Sequence, residues 1–440
     1  MIVQRKKITV LIKNHIVLIG CIILYLSGRI PAEVLVKPGN DGINYYGRFA
    51  MSDDGLSVDF NWPGSIIEAK FTGTTIGVEL DDGGGSYFNV ELDGTVIDTL
   101  SPSSATRRMI ADDIDENTPH TIRIILRTNG KNCTFGGFYL ADGHQLSDKP
   151  EKPMRKIEFI GDSWTAGDVV GTSSTNDLKY FNAALTYARL TSIAFHSQDM
   201  LIARGGCGLV NGYGAVMQER YPQTLCDASG AWDFSSWTPD IVVMFLGIND
   251  FNKGTADNTF IAAYQRLITT VRDNYTNLPV VLVGLNETIQ GHHHLNIVKK
   301  VAEDFSDVTV FSSPIRLNNA KALWQHPTPA QHKEISDSLI PVIMEITGWD
   351  TVPPVTTGAS PLETVRQRHH FNRSHTLIKT TAGTVAFPDE FTGTVKKVSV
   401  YDCSGRMRYR TTTSERKLFL RKDAGLPEGM FIISIDREIF

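Results

Sequence analysis

Cysteine is scarce in this chain. Cys21, Cys133, Cys207, Cys226 and Cys403 are scattered over 440 residues, without a Cys-x-x-Cys spacing, which excludes a zinc ribbon and a disulfide-built scaffold. Only Cys207 and Cys226 are close enough to invite pairing, and buried free thiols are the expectation for both. Positive charge is also short: 43 Lys and Arg against 48 Asp and Glu give a net charge of -5, so there is no basic footprint and nucleic acid is excluded as a partner. No apolar run is long enough to cross a bilayer comfortably, and the mature chain is expected to have no spanning segment. Gly83, Gly84 and Gly85 precede no helical pattern, so they read as a hairpin turn and not as a phosphate loop. His292, His293 and His294 point in different directions on any regular element, and a solvated loop is expected there. No convergent zinc-like ligand set is visible, and neither a metal nor a cofactor is expected.

The chain is too long for one core, and its pattern changes several times. Arg5, Lys6, Lys7 and Lys13 precede the apolar run Ile16-Val17-Leu18-Ile19-Gly20-Cys21-Ile22-Ile23-Leu24-Tyr25-Leu26, so residues 1–32 read as a signal peptide and the protein as secreted or held at the cell surface. An uncleaved anchor is one alternative, and a lipoprotein signal ending at Cys21 is another. Residues 41–148 show short alternating strands split by turns, the pattern of a β-sandwich. After the proline-containing stretch Asp148–Pro153, residues 154–348 alternate strands and helices, which predicts a mostly parallel, flavodoxin-like α/β sheet with strands at 157–160, 241–246, 279–285 and 308–312. Phe260, Tyr264, Leu267, Ile268 and Val271 mark a buried helical stripe between Asp257 and Asn274. Residues 349–380 read as a linker, and 381–440 as a small C-terminal β-sandwich.

One strand, Lys156-Ile157-Glu158-Phe159-Ile160, runs into the turn Gly161-Asp162-Ser163. A serine displayed there is a candidate nucleophile, although a helix N-cap would suit the same position. A second strand ends in Gly247-Ile248-Asn249-Asp250, and Trp324-Gln325-His326-Pro327 sets a histidine just ahead of a helix. Thr328 as N-cap, Pro329 at the first position and Gln331 completing a capping box pin that helix, while Ile335, Leu339, Ile343 and Ile346 give it a buried stripe. His326 is therefore the candidate base. His332 lies a turn inside the helix and is expected at the surface or in a cap.

Gly-Asp-Ser, a glycine, Gly-x-Asn-Asp and His-Pro, in that chain order, resemble the four blocks of the SGNH (GDSL-type) hydrolases. The preceding β-rich segment, with Gly47-Arg48-Phe49, Phe71-Thr72-Gly73-Thr74, Thr95-Val96-Ile97, His120-Thr121-Ile122-Arg123-Ile124 and Phe135-Gly136-Gly137-Phe138, resembles the N-terminal jelly roll of family-2 carbohydrate esterases. The resemblance implies Ser163 and His326 as catalytic pair, and an oxyanion hole of the Ser163 N–H, the Gly206 N–H and the Asn249 amide, with donors worth about 3 kcal/mol each. Gly206 rather than Gly205 follows from the family's Ser-Gly-x-Gly. Asp162 and Asp250 are expected to brace loops. Many family members carry aspartate where Leu323 and Trp324 stand here, so His326 must be oriented by a backbone carbonyl or by an acid from another loop. Trp324 is expected to stack on a sugar ring, and Trp164 to pack under the serine turn. Val400-Tyr401-Asp402-Cys403-Ser404-Gly405-Arg406 with Leu426-Pro427-Glu428-Gly429-Met430-Phe431 is similar to C-terminal sorting domains of the type IX secretion system, implying a contact with secretion machinery. The implied activity is removal of O-acetyl groups from xylan or glucomannan. A lipase or thioesterase is one alternative, and a non-catalytic carbohydrate-binding protein another.

Overall fold

The computed structural model describes residues 33–352, apart from 103–105, 113, 227–229 and 277, and five strands further on. Residues 1–32, with the signal expectation, and most of the expected linker lie outside the described residues.

The N-terminal unit is two antiparallel sheets packed face to face. One runs Ile43–Tyr46, Ile66–Phe71, His120–Leu126, Phe88–Leu92, Thr95–Leu100, and the other is built around Cys133–Ala141. Glu33–Val36, ahead of residue 41, pairs with Phe138–Ala141 in that second sheet. A register shift between Phe135 and Gly137 rephases the strand, so that Phe135 and Phe138 both enter the core with ring centroids 5.0 Å apart. The glycine triplet does not close a hairpin. Ile76–Asp81 belongs to one sheet and Phe88–Leu92 to the other, so the glycines carry the chain between sheets; alternation marks both strands but is silent about which sheet each joins.

The central unit is a five-stranded parallel sheet: β1 (Arg155–Gly161), β2 (Ser197–Ala203), β3 (Ile241–Phe245), β4 (Val280–Leu285) and β5 (Val308–Ser313), in the order β2-β1-β3-β4-β5. β2 carries polar residues yet is buried throughout, because its polar groups find partners: Asp199 with Arg189 at 2.6 Å and Gln198 with the Pro153 carbonyl at 2.6 Å. Helices cover the sheet, α1 (Ser163–Ala166), α2 (Tyr187–Phe195), α3 (Ile248–Asn252), α4 (Asp257–Asn274), α5 (His294–Ala302) and α6 (Pro329–Thr347). The α4 stripe is fully in the core, each such side chain contributing about 1.5–3 kcal/mol. In such sheets the ligand site lies where strand order reverses, here between β1 and β3.

The two units share buried contacts. Arg48, with no exposed surface, donates to the Gln223 carbonyl at 2.8 Å and pairs with Glu158 of β1 at 3.3 Å. Trp62 Nε1 donates to the Thr224 carbonyl at 2.9 Å, and its ring joins the core of the α/β unit. The stretch between the units is bonded too: Asn44 Nδ2 donates to the Pro150 carbonyl at 2.7 Å. Beyond residue 352, Lys396–Tyr401 pairs with Met407–Thr413 and Ile432–Arg437, and Thr384–Ala386 with Lys417–Phe419. Among the described residues no helix is long and apolar enough to cross a membrane.

Candidate active site

β1 ends in a turn that tolerates no side chain at Gly161, where a Cβ would come 2.1 Å from Thr165 Oγ1. Asp162 caps α1 by accepting from the Trp164 N–H at 3.1 Å, which leaves Ser163 as the first helical residue, at the carboxyl end of β1. Trp164 is buried beneath, edge-on to Phe245.

Ser163 Oγ lies 2.7 Å from His326 Nε2. His326 Nδ1 lies 2.8 Å from the Leu323 carbonyl. A carbonyl only accepts, so Nδ1 carries the proton and Nε2 presents its lone pair to the serine hydroxyl. Burial pushes the His326 imidazole below its ordinary 6.5, with the Leu323 and Trp324 backbone pulling the other way, so the ring stays neutral at neutral pH. Leu323 itself is held by its N–H donating to the Thr172 carbonyl at 2.9 Å, and Ala322 N–H donates to the His326 carbonyl at 2.8 Å. Trp324 and Gln325 between them take φ values of +53° and +59°, left-handed backbone that costs non-glycine residues about 1–3 kcal/mol each. Gln331 of the capping box braces the same loop, donating to the Asn319 carbonyl at 2.8 Å and accepting from the Lys321 N–H at 2.9 Å. Trp324 stands 61% exposed on this turn, a large aromatic face left to solvent.

On the other side, β2 leads into Arg204-Gly205-Gly206-Cys207. Gly205 N–H is taken by Asn129 Oδ1 at 3.3 Å, whereas no described residue accepts from the Gly206 N–H. Asn249, on the first turn of α3, donates through Nδ2 to the Cys207 carbonyl at 2.9 Å and to Asp162 Oδ2 at 3.3 Å. Asp250 gathers the N–H groups of Leu209, Val210 and Asn211 at 2.8, 2.7 and 3.1 Å, fixing the loop after the glycines. Burial pushes the carboxyls of Asp162 and Asp168 up to about 7. The structure thus brings Ser163, His326, Gly206 and Asn249 together around one strand end. Asn129 and Asp168, also at the site, carried no sequence signal, since neither lies in a motif.

Two histidine expectations need correction. His292–His294 is no solvated loop: His292 pairs with Asp257 at 2.5 Å, and His294 is buried, Nδ1 accepting from the Leu285 N–H at 2.9 Å and Nε2 facing the Leu246 carbonyl at 3.0 Å. His332 is likewise in the core, stacked on Tyr187 and accepting its N–H at 3.2 Å. His294 satisfies both ring nitrogens internally and His332 its Nδ1, which a hydropathy pattern does not reveal. Among the described residues no three of His, Cys, Asp and Glu could hold a metal ion.

Fold and site define an α/β domain of the GDSL type. Residues 159–333 match the GDSL-like lipase/acylhydrolase family and residues 45–150 the carbohydrate esterase 2 N-terminal family, so the chain has the two-domain make-up of the family 2 carbohydrate esterases. It is 36% identical over 247 residues to a cellulase/esterase, CelE, of Acetivibrio thermocellus, covering 54% of this chain and 30% of that longer protein. It is 26% identical over 323 residues to an acetylxylan esterase / glucomannan deacetylase of Cellvibrio japonicus, covering 70% of this chain and 89% of that one. A family two carbohydrate esterase from Clostridium thermocellum, solved in complex with cellohexaose, superposes with a TM-score of 0.66 at 29% identity, covering 70% of this chain and all (100%) of that one.

Proposed function

We propose that the protein is a serine esterase that removes O-acetyl groups from plant cell-wall polysaccharide such as xylan or glucomannan. The observation that carries this reading is the 2.7 Å contact between Ser163 Oγ and an His326 ring whose Nδ1 proton is fixed on the Leu323 carbonyl. Ser163 Oγ attacks the acetyl carbonyl carbon as its proton passes to Nε2. The oxyanion is met by the Ser163 and Gly206 N–H groups and by Asn249. One Asn249 donor stays on the Cys207 carbonyl, and the one on the longer contact to Asp162 turns to the oxyanion. Collapse breaks the bond to the sugar oxygen, which takes the proton from Nε2. Water, deprotonated by the same nitrogen, then releases acetate and regenerates Ser163. A backbone carbonyl stands in for the carboxylate of a triad, so the imidazolium is stabilised by a dipole and not by a charge.

The relatives' names support the choice of acetylated polysaccharide. Trp324 offers the apolar C–H face of a pyranose a stacking partner. Export belongs to the same reading, resting on the basic and then apolar N-terminus, as does engagement of secretion machinery by the C-terminal module. The test is acetate release from acetylated xylan and acetylated glucomannan, set beside short and long acyl aryl esters. Preference for long acyl aryl esters, with no acetate from either polysaccharide, would sink the substrate assignment.

A further inference from the structure

One sandwich strand ends inside the hydrolase unit. After His120–Leu126, the Arg127 carbonyl accepts from the Ala183 N–H at 2.9 Å, and the Arg127 side chain donates to the carbonyls of Lys179 and Phe181 at 2.5 and 3.2 Å. Two residues later Asn129 Nδ2 donates to Asp168 Oδ1 at 2.6 Å, while Asn129 Oδ1 accepts the Gly205 N–H. The orientation of the amide is fixed by the Gly205 N–H, which only donates and so needs the amide oxygen. Asp168 N–H donates to the Ser163 carbonyl at 3.1 Å, so Asp168 belongs to the turn behind the serine. The junction is tight: a Cβ on Gly205 would come 2.1 Å from Asp168 Oδ2, and one on Gly130 2.8 Å from Arg204 Nη1.

We propose that Asn129 is a positioning residue, clamping the Gly205–Gly206 loop to the turn that carries Ser163, so that the sandwich sets the geometry of the oxyanion donors. The inference rests on the acyl-transfer reading above. By holding the Gly205 N–H, Asn129 directs the next N–H, that of Gly206, toward the reacting atoms. A donor that acts on the oxyanion lowers the barrier only while it stays in place, so loosening it lowers kcat more than it changes substrate binding.

The test uses full-length Asn129→Ala, Asn129→Asp, Asp168→Asn and the double variant Asn129→Asp/Asp168→Asn. Asn129→Asp sets two carboxylates face to face. The double exchange restores the bridge, with an amide at position 168 donating to a carboxylate at position 129 that still accepts from Gly205. Asn129→Ala and Asn129→Asp are expected to lose about tenfold or more in kcat on a small aryl acetate with KM within about twofold, and the double variant to regain most of that loss. Amide hydrogen exchange at Gly205, read on the same proteins, is expected to quicken about tenfold in the two Asn129 single variants and to slow again in the double. A lowered melting temperature with kcat and exchange unchanged would overturn the clamp. Should the wild type hydrolyse no ester, the acyl-transfer reading falls and exchange alone decides: unaltered exchange at Gly205 rejects the clamp, and quickened exchange reversed in the double variant upholds it.

Discussion

Ser163 and His326 share one proton across 2.7 Å, and the proton on the far nitrogen is held by the Leu323 carbonyl. Ser163→Ala should therefore remove ester hydrolysis while leaving the thermal melt unchanged, and His326→Ala should cost about a thousandfold or more; a folded Ser163→Ala protein working at the wild-type rate would end the covalent mechanism. Burial holds the His326 imidazole below its ordinary 6.5. The acid limb of kcat/KM is expected to fall below pH 6.5, since activity declines only as the pH drops through the depressed pKa; a limb above 6.5 would contradict the site's burial. Trp324 makes a separate claim. If its exposed ring stacks on sugar, Trp324→Ala should lose about 1–3 kcal/mol of kcat/KM on acetylated oligosaccharide and far less on an aryl acetate. Equal losses would mean that the residue serves only the left-handed turn that presents His326.

Among the elements, α6 shows how a sequence pattern can name a helix and misplace a residue on it. Thr328, Pro329 and Gln331 mark its start, and the capping box is present as the residues require. His332 on its second turn is core, stacked on Tyr187, because Tyr187 N–H offers a buried donor that pays for the imidazole's desolvation. Replacing His332 with Ala should cost about 2 kcal/mol of stability, measured by denaturant titration, with kcat of the folded protein little changed. Buried groups also set the pH dependence of stability. His332 and His294, held at about 3 and about 4, refuse protons that the unfolded chain accepts below 6.5, so their contribution to stability is lost as pH falls. Asp162 and Asp168, at about 7 when folded against 3.8 otherwise, take up protons that the unfolded chain does not, and favour the folded state as pH falls over the same interval. Asp162→Asn removes one of these opposing contributions. Its unfolding midpoint should fall more steeply than that of the wild type between pH 6.5 and 4.5, and parallel curves would contradict the assignment.

For the whole molecule, sandwich and hydrolase behave as one body at their junction. Arg48 and Glu158 are both without solvent contact, and Trp62 of the sandwich belongs to the hydrolase core. A single calorimetric transition is expected for the two units, and Arg48→Ala should lower stability by about 3–5 kcal/mol, because it leaves Glu158 buried without its partner. Two transitions, with only one moved by Arg48→Ala, would show that the units melt independently.

The α/β order, the helix at Asp257–Asn274, the placing of Ser163 and Asn249 just after strand ends and that of His326 just before a helix were legible from the residues, because apolar period, caps and turn residues act within a few positions of themselves, while their joining in one site was implied by the family resemblance. What orients His326 was not, for it depends on a carbonyl placed by two consecutive left-handed residues that are not glycine, a conformation local preference disfavours and the surrounding loop imposes. β2 escaped detection because its polar residues bond to groups outside the strand, among them Arg189 and the Pro153 carbonyl, and the glycine triplet misled because a sheet's membership is decided by its neighbours. Asn129 reaches Gly205 across 76 positions of sequence, and only folding brings that amide to the turn that carries Ser163.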